Sequence, residues 1–114
     1  MLEVSSAKTA WALILVSGLL EIAFAAAIHA SSGFTRSVPA ALAIASGGLS
    51  VYLMSLTLTV IPIGTAYAVW GGVGAVGTAA MGLLFLGESA TPSRLLCMVL
   101  IVAGIVGLQL FEAP

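Results

Sequence analysis

The stretch "VIPIGTAYAVW" (Val60–Trp70) lies inside the longest uncharged run of the chain, and the way it breaks that run decides the fold. No Asp, Glu, Lys or Arg occurs between Arg36 and Glu88, a gap of 51 residues. A helix that crosses a bilayer takes about 20 apolar residues, so this gap holds two spans and the turn between them. Pro62 marks the turn, because proline disfavours helix in the residue that precedes it. The spacing predicts helices over residues 38–60 and 65–86.

Outward from there the same pattern repeats. Pro39 stands near the start of the earlier helix, where a missing N–H is harmless. Before it, "SSGFTR" (Ser31–Arg36) supplies turn chemistry and closes a first helix over residues 9–30. A short polar lead, residues 1–8, precedes that helix. After the uncharged run, "GESATPSR" (Gly87–Arg94) forms a polar loop, and Pro92 opens a fourth helix over residues 92–111. The first apolar segment is longer than the roughly 7–15 residues of a signal-peptide core, and Glu21 sits in its middle, so it is a retained span.

Composition agrees with this plan. Of 114 residues, 61% are hydrophobic and 6% charged, with three Lys/Arg and four Asp/Glu. That is far below the roughly 25% charged of soluble domains. The expected fold is an all-α membrane protein, a single domain over residues 1–114 made of four transmembrane helices, and not an enzyme. The net charge of −1 and the lack of a basic patch exclude a nucleic-acid partner. No cofactor or metal is expected, since His29 stands alone. Cys97, in an apolar run, reads as a buried, inert thiol. Four spans put both termini and the Pro62 turn on one side of the membrane with Lys8, and Arg36 and Arg94 on the other. Topology follows Lys and Arg near helix ends, so two against one leaves insertion weakly instructed.

Glu21 is the residue that points to function. It lies ten residues from Trp11 and nine from Ala30. At 1.5 Å per residue that is roughly 15 Å from either helix end, near the bilayer midplane. A charged carboxylate there costs about 2.5 kcal/mol or more, so it takes up a proton unless a cation is present. Protons and a cationic ligand therefore compete for one site. The bland alternative is a neutral, hydrogen-bonded structural Glu.

Tyr67 and Trp70 are spaced i, i+3 and share a helix face. Aromatic walls suit a cation, and the Tyr hydroxyl can bond a carboxylate; core packing is the other reading. The glycines at 71, 72, 74 and 77 permit close helix approach, and Gly72 and Gly74 together could form a hinge. Ser50 could hydrogen-bond Glu21 or its ligand, or bond back to its own helix. On the fourth helix, Gly104 and Gly107 in "LIVAGIVG" have the character of a packing seam between copies or within one. Four spans are too few to enclose a pathway, so the minimum working unit is a dimer.

The segments "GLLE", "GFTR", "IPIGTAYAVW", "GVGAVG", "LGES" and "LIVAGIVGL" resemble the small multidrug resistance family of four-helix exporters, and most closely its guanidinium-exporter subfamily. The likeness covers about residues 11–110. It implies a multi-pass protein of the bacterial inner membrane that assembles as an antiparallel dimer and exchanges protons for a small cation by alternating access. Carried over by position, the essential carboxylate is Glu21, its supporting serine Ser50, and the pocket aromatics Tyr67 and Trp70. Four departures stand out. Phe24 replaces the usual pocket tryptophan of the first helix, Gly71 replaces a hydroxyl residue, His29 stands at a common lysine position, and Thr59 and Gln109 replace loop and C-terminal lysines. The expected partners are a guanidinium-type cation, protons, the lipid bilayer, and a second chain in a homodimer or a paired heterodimer. The rival readings are an exporter of bulkier quaternary ammonium or aromatic cations, a non-transporting half of a pair, and a proton-translocating rotor subunit.

Overall fold

Each apolar run becomes one continuous helix. A computed structural model describes residue 4 and residues 6–112, so parts of the polar lead and the last two positions of the 1–114 domain lie outside the described residues. The helices are α1 (Ala7–Ala30), α2 (Ser37–Thr57), α3 (Ile63–Phe85) and α4 (Pro92–Glu112). All four are long and apolar enough to cross a membrane.

Local chemistry sets where they begin and end. Helix α1 starts at Ala7, before Thr9, because the Ser6 hydroxyl caps it by accepting from the Thr9 N–H. Helix α2 stops at Thr57, short of Val60. The Thr57 carbonyl accepts from both the Val60 and Ile61 amides (3.0 and 2.8 Å), which folds the chain into the turn that delivers Pro62 as the N-cap of α3. The α1–α2 loop runs through three successive left-handed residues, Ser32, Gly33 and Phe34. The Ser31 hydroxyl, which donates to Ile28 O and accepts from the Phe34 amide, holds that loop in place. At the far end of α3, Gly87 takes a φ of 71°, and Arg94 pairs with Glu88 across the loop.

Helix α1 packs against α2 and α3, whereas α4 touches α3 alone. The seam between α1 and α3 is built on small residues. A Cβ at Gly18 would stand 2.7 Å from Val73, and one at Gly74 would stand 2.9 Å from Glu21 Cβ. The fully apolar core gathers at the end carrying the N-terminus, where Val4, Ala10, Ile14, Ile61, Ala66 and Val69 meet. Thr59 stitches this end by donating to the Val4 carbonyl at 2.7 Å.

The result is a slab of 41 × 39 × 17 Å, too thin to wall off a cavity on every side. Many large apolar side chains point outward, among them Val38, Ile44, Leu84 and Phe85. Cys97 departs from the sequence expectation: it is exposed on α4 rather than buried, because α4 has neighbours along only its α3-facing side. On the same helix Gly104 meets nothing within 4 Å, and Gly107 meets only Phe111 of its own helix, at 3.9 Å. Neither glycine packs closely against another helix among the described residues.

Candidate functional site

Glu21 sits mid-helix on α1, where Gly74 of α3 stands against it. Gly74 makes that approach possible, since any side chain there would drive into the Glu21 stem. The carboxylate is half-buried and has no hydrogen-bond or ion-pair partner among the described residues. An acid at the depth of a bilayer midplane that the protein leaves uncompensated is available to a proton or a cation.

Two recesses open beside it. One, of about 250 Å³, lies between α1 and α3 and is lined by Glu21, Phe24, Trp70, Gly71, Gly74 and Thr78, among others. The second, of about 420 Å³, lies between α1 and α2 and includes Glu21, Phe24, Gly47, Gly48, Val51 and Trp70. Glu21, Phe24 and Trp70 belong to both, so one carboxylate and two aromatic rings form the wall that the recesses share. Ring faces carry negative charge density, so this combination favours a cation.

Trp70 is held in place by Ser50. The indole Nε1–H donates to Ser50 Oγ at 2.8 Å, and Ser50 in turn donates to the Ser17 carbonyl at 2.7 Å. One fully buried hydroxyl thus ties α2 to both α1 and α3. The sequence offered Ser50 to Glu21, its ligand, or its own helix; the structure gives it two partners on other helices and makes it the support of the indole. Tyr67 lies one turn before Trp70, with ring centroids 5.4 Å apart and planes at 47°. It is 61% exposed, and its hydroxyl makes no bond to Glu21. Phe24 rests its ring on α2, where a Cβ at Gly47 would stand 2.8 Å from Phe24 Cδ1.

The glycines of α3 divide by role. Gly71 lines a recess and faces open space, Gly74 backs Glu21, and Gly72 turns the other way to receive Ile105 of α4 at 2.8 Å from an added Cβ. Gly72 is therefore part of the α3–α4 packing and not of the recess. The structure also adds residues that sequence reasoning passed over. Gly47 was unremarked, although "GGLS" (Gly47–Ser50) places it three residues before Ser50 on the same helix face. Thr78 was unremarked as well, although it follows Gly74 by one turn.

The profile of the family described as Small Multidrug Resistance protein matches residues 9–101. A guanidinium exporter of Citrobacter freundii is 50% identical over 100 residues, covering 88% of this chain and 95% of the relative. A guanidinium exporter of Klebsiella oxytoca shows the same identity and coverage. A guanidinium exporter of Yersinia pseudotuberculosis is 46% identical over 101 residues, covering 89% of this chain and 97% of the relative.

Proposed function

The chain belongs to the small multidrug resistance family, and on that premise we propose that it exports guanidinium-type cations in exchange for protons, working by alternating access in a dimer. It is a multi-pass protein of the bacterial inner membrane. The observation that carries the reading is the unpaired Glu21 carboxylate on the wall shared by two recesses, flanked by Phe24 and Trp70. No other Asp or Glu occurs between Glu3 and Glu88, so no second acid in that region can take the proton or the cation.

The steps follow from charge. With Glu21 deprotonated, a planar cation forks two N–H groups onto the carboxylate oxygens, a geometry that guanidinium matches and a point-charge ammonium does not. Phe24 and Trp70 cover its faces, and Ser50 keeps the indole from turning away. On the other side of the membrane a proton takes the carboxylate, removes the charge that held the cation, and releases it. The proton is then carried back. Because only one ligand fits at a time, a gradient of one drives the other.

A dimer is supported by the thin slab, whose recesses open on its surface, and by the α4 face that nothing among the described residues covers. A second copy inserted with opposite orientation would close the recesses and bring a second Glu21 to the same chamber. The weak Lys and Arg bias leaves both orientations accessible to one chain, and a heterodimer with a related chain satisfies the same geometry. One observation favours bulkier cations as additional cargo: Gly71 lines the recess and has open space where a side chain would stand. The test is reconstitution of the purified chain alone in proteoliposomes. An imposed guanidinium gradient should move protons in the opposite direction, and Glu21→Gln should stop it; guanidinium flux without proton movement defeats the coupling.

A further inference from the structure

Three side chains lining the α1–α3 recess can form hydrogen bonds: Glu21, Trp70 and Thr78. Trp70 is spoken for, because its single N–H is given to Ser50, and an indole can only donate. The hydroxyls of Thr9, Ser37 and Thr65, in the first turns of their helices, have no partner among the described residues. Beyond the first turns, Thr78 differs from the other Ser and Thr residues. A Ser or Thr in a helix usually bonds back to the carbonyl three or four residues earlier. In this chain Ser17, Ser46, Ser55 and Thr57 all do so. The Thr78 hydroxyl has no partner among the described residues. Since no buried side-chain oxygen or nitrogen among the described residues lacks a partner, that hydroxyl is not sealed in packing, and Thr78 lines the recess.

Its position is fixed by helix register. Gly74 stands against the Glu21 stem, and Thr78 follows it by four residues, about 6 Å further along α3. Thr78 therefore stands about one helical turn beyond the Glu21 stem. Two hydrogen bonds of about 3 Å each plus the roughly 2 Å width of a small planar cation reach about 8 Å, so a cation held by Glu21 can extend toward it. A guanidinium group that forks two N–H donors onto Glu21 keeps other N–H donors turned away from it, and those need an acceptor. In this recess the neutral acceptor is Thr78.

We infer that Thr78 is a specificity-determining residue: its hydroxyl accepts an N–H from the substrate bound to Glu21, and so selects cations that carry N–H donors over cations of equal charge that carry none. The inference rests on the proposed export of guanidinium-type cations. A quaternary ammonium ion has nothing to give this hydroxyl and gains nothing from it.

The experiment compares Thr78→Val, which keeps the shape and removes the hydroxyl, with Thr78→Ser, which keeps the hydroxyl and removes a methyl group. Guanidinium and tetramethylammonium are the probes, with binding measured on purified protein in detergent and transport in proteoliposomes. Losing one hydrogen bond to the cation should weaken guanidinium binding about fivefold to tenfold in the Val variant, appearing in KM more than in kcat. The Ser variant should stay within about twofold of the native chain, and any tetramethylammonium binding should be unchanged in both. The reverse order, with Val native-like and Ser impaired, shows packing and overturns the inference. So does equal weakening of both probes, or a Val variant that binds guanidinium normally. If the native chain binds tetramethylammonium too weakly to measure, the contrast between Val and Ser on guanidinium decides alone. Failure of the native chain to bind guanidinium overturns the export reading itself, and this inference with it.

Discussion

The bridge from Ser17 through Ser50 to Trp70 yields a number that can be measured. Ser50→Ala removes a fully buried hydroxyl, the donor to Ser17 O and the acceptor for Trp70 Nε1. Interhelical hydrogen bonds in membrane proteins are worth about 0.6 kcal/mol on average and at most about 1.7. Both bonds here are short, at 2.7 and 2.8 Å, and Ser50 is excluded from lipid, so each belongs in the upper half of that range. Ser50→Ala should therefore destabilise the chain by about 2 kcal/mol, including the cost of an indole N–H left without its acceptor. Trp70→Phe keeps a ring and removes the N–H, but it also changes packing, so its own cost does not isolate the bond.

A double-mutant cycle does isolate it, because the packing change cancels between the two arms. The coupling between Ser50 and Trp70 should be about 1 kcal/mol, near fivefold in an equilibrium constant. The assay is reversible unfolding of the purified chain in mixed micelles, followed for the native chain, the two single variants and the double variant. A parallel cycle between Ser50→Ala and Glu21→Gln should give a coupling near zero, since these side chains share no hydrogen bond here. A Ser50–Trp70 coupling within error of zero, or a larger Ser50–Glu21 coupling, would refute the view that Ser50 works through the indole.

Other outcomes follow from the same geometry. Glu21→Gln should abolish exchange of guanidinium for protons while the chain still folds, read as transport in proteoliposomes and unfolding in micelles; substantial coupled transport in that variant contradicts the central role of the carboxylate. Under the proposed exchange, protons and guanidinium compete for one carboxylate, so guanidinium affinity should fall as proton concentration rises, by up to about tenfold per tenfold rise for one displaced proton. Calorimetry across mildly acidic to alkaline pH checks this, and a flat affinity counts against a shared site. Gly47→Ala places a methyl group 2.8 Å from Phe24 Cδ1, so the ring must swing into the recesses. Export of bulky aromatic cations should drop more than export of guanidinium itself, and equal effects on both would show that the Phe24 seat is immaterial. Cysteines introduced near Arg36 should label from both faces of the membrane if the chain forms an antiparallel dimer with itself; labelling from one face, together with full transport by the chain alone, defeats that arrangement.

What the sequence made legible was what a single helix can carry. Charge gaps and prolines located four spans because bilayer thickness and proline sterics act on local stretches. Glu21 stood out because depth follows from counting residues along one helix. The partnerships were harder. Ser50 could be matched with Glu21, but its choice of Ser17 and Trp70 depends on the rotation of α2 relative to two other helices, and a short hydroxyl reaches only what that rotation presents. Gly47 and Thr78 escaped notice for the same reason: a glycine under a ring or a hydroxyl without a partner has meaning only when the neighbouring helix is in place. Cys97 was misread because an apolar stretch signals burial in water-soluble proteins. In a bilayer an apolar face can equally look outward, and α4 has only α3 beside it.

That last point bears on how the site can work. A carboxylate on an open wall of a thin slab would meet lipid on one side and be nearly useless to a hydrated cation, which needs an aqueous path to reach it. The cost of charging Glu21 in hydrocarbon, about 2.5 kcal/mol or more, falls only if water or another polar surface faces it. Among the described residues of the α1–α3 recess, the Thr78 hydroxyl is the one free polar group beside Glu21, and no side chain there supplies a compensating charge. The rest of the polar environment comes from outside this chain, as water or as a partner chain. In the dimer proposed above, a second copy turned over in the membrane would supply it with the residues already in hand, its own Glu21 and Thr78 among them, and would bring two acids to one chamber.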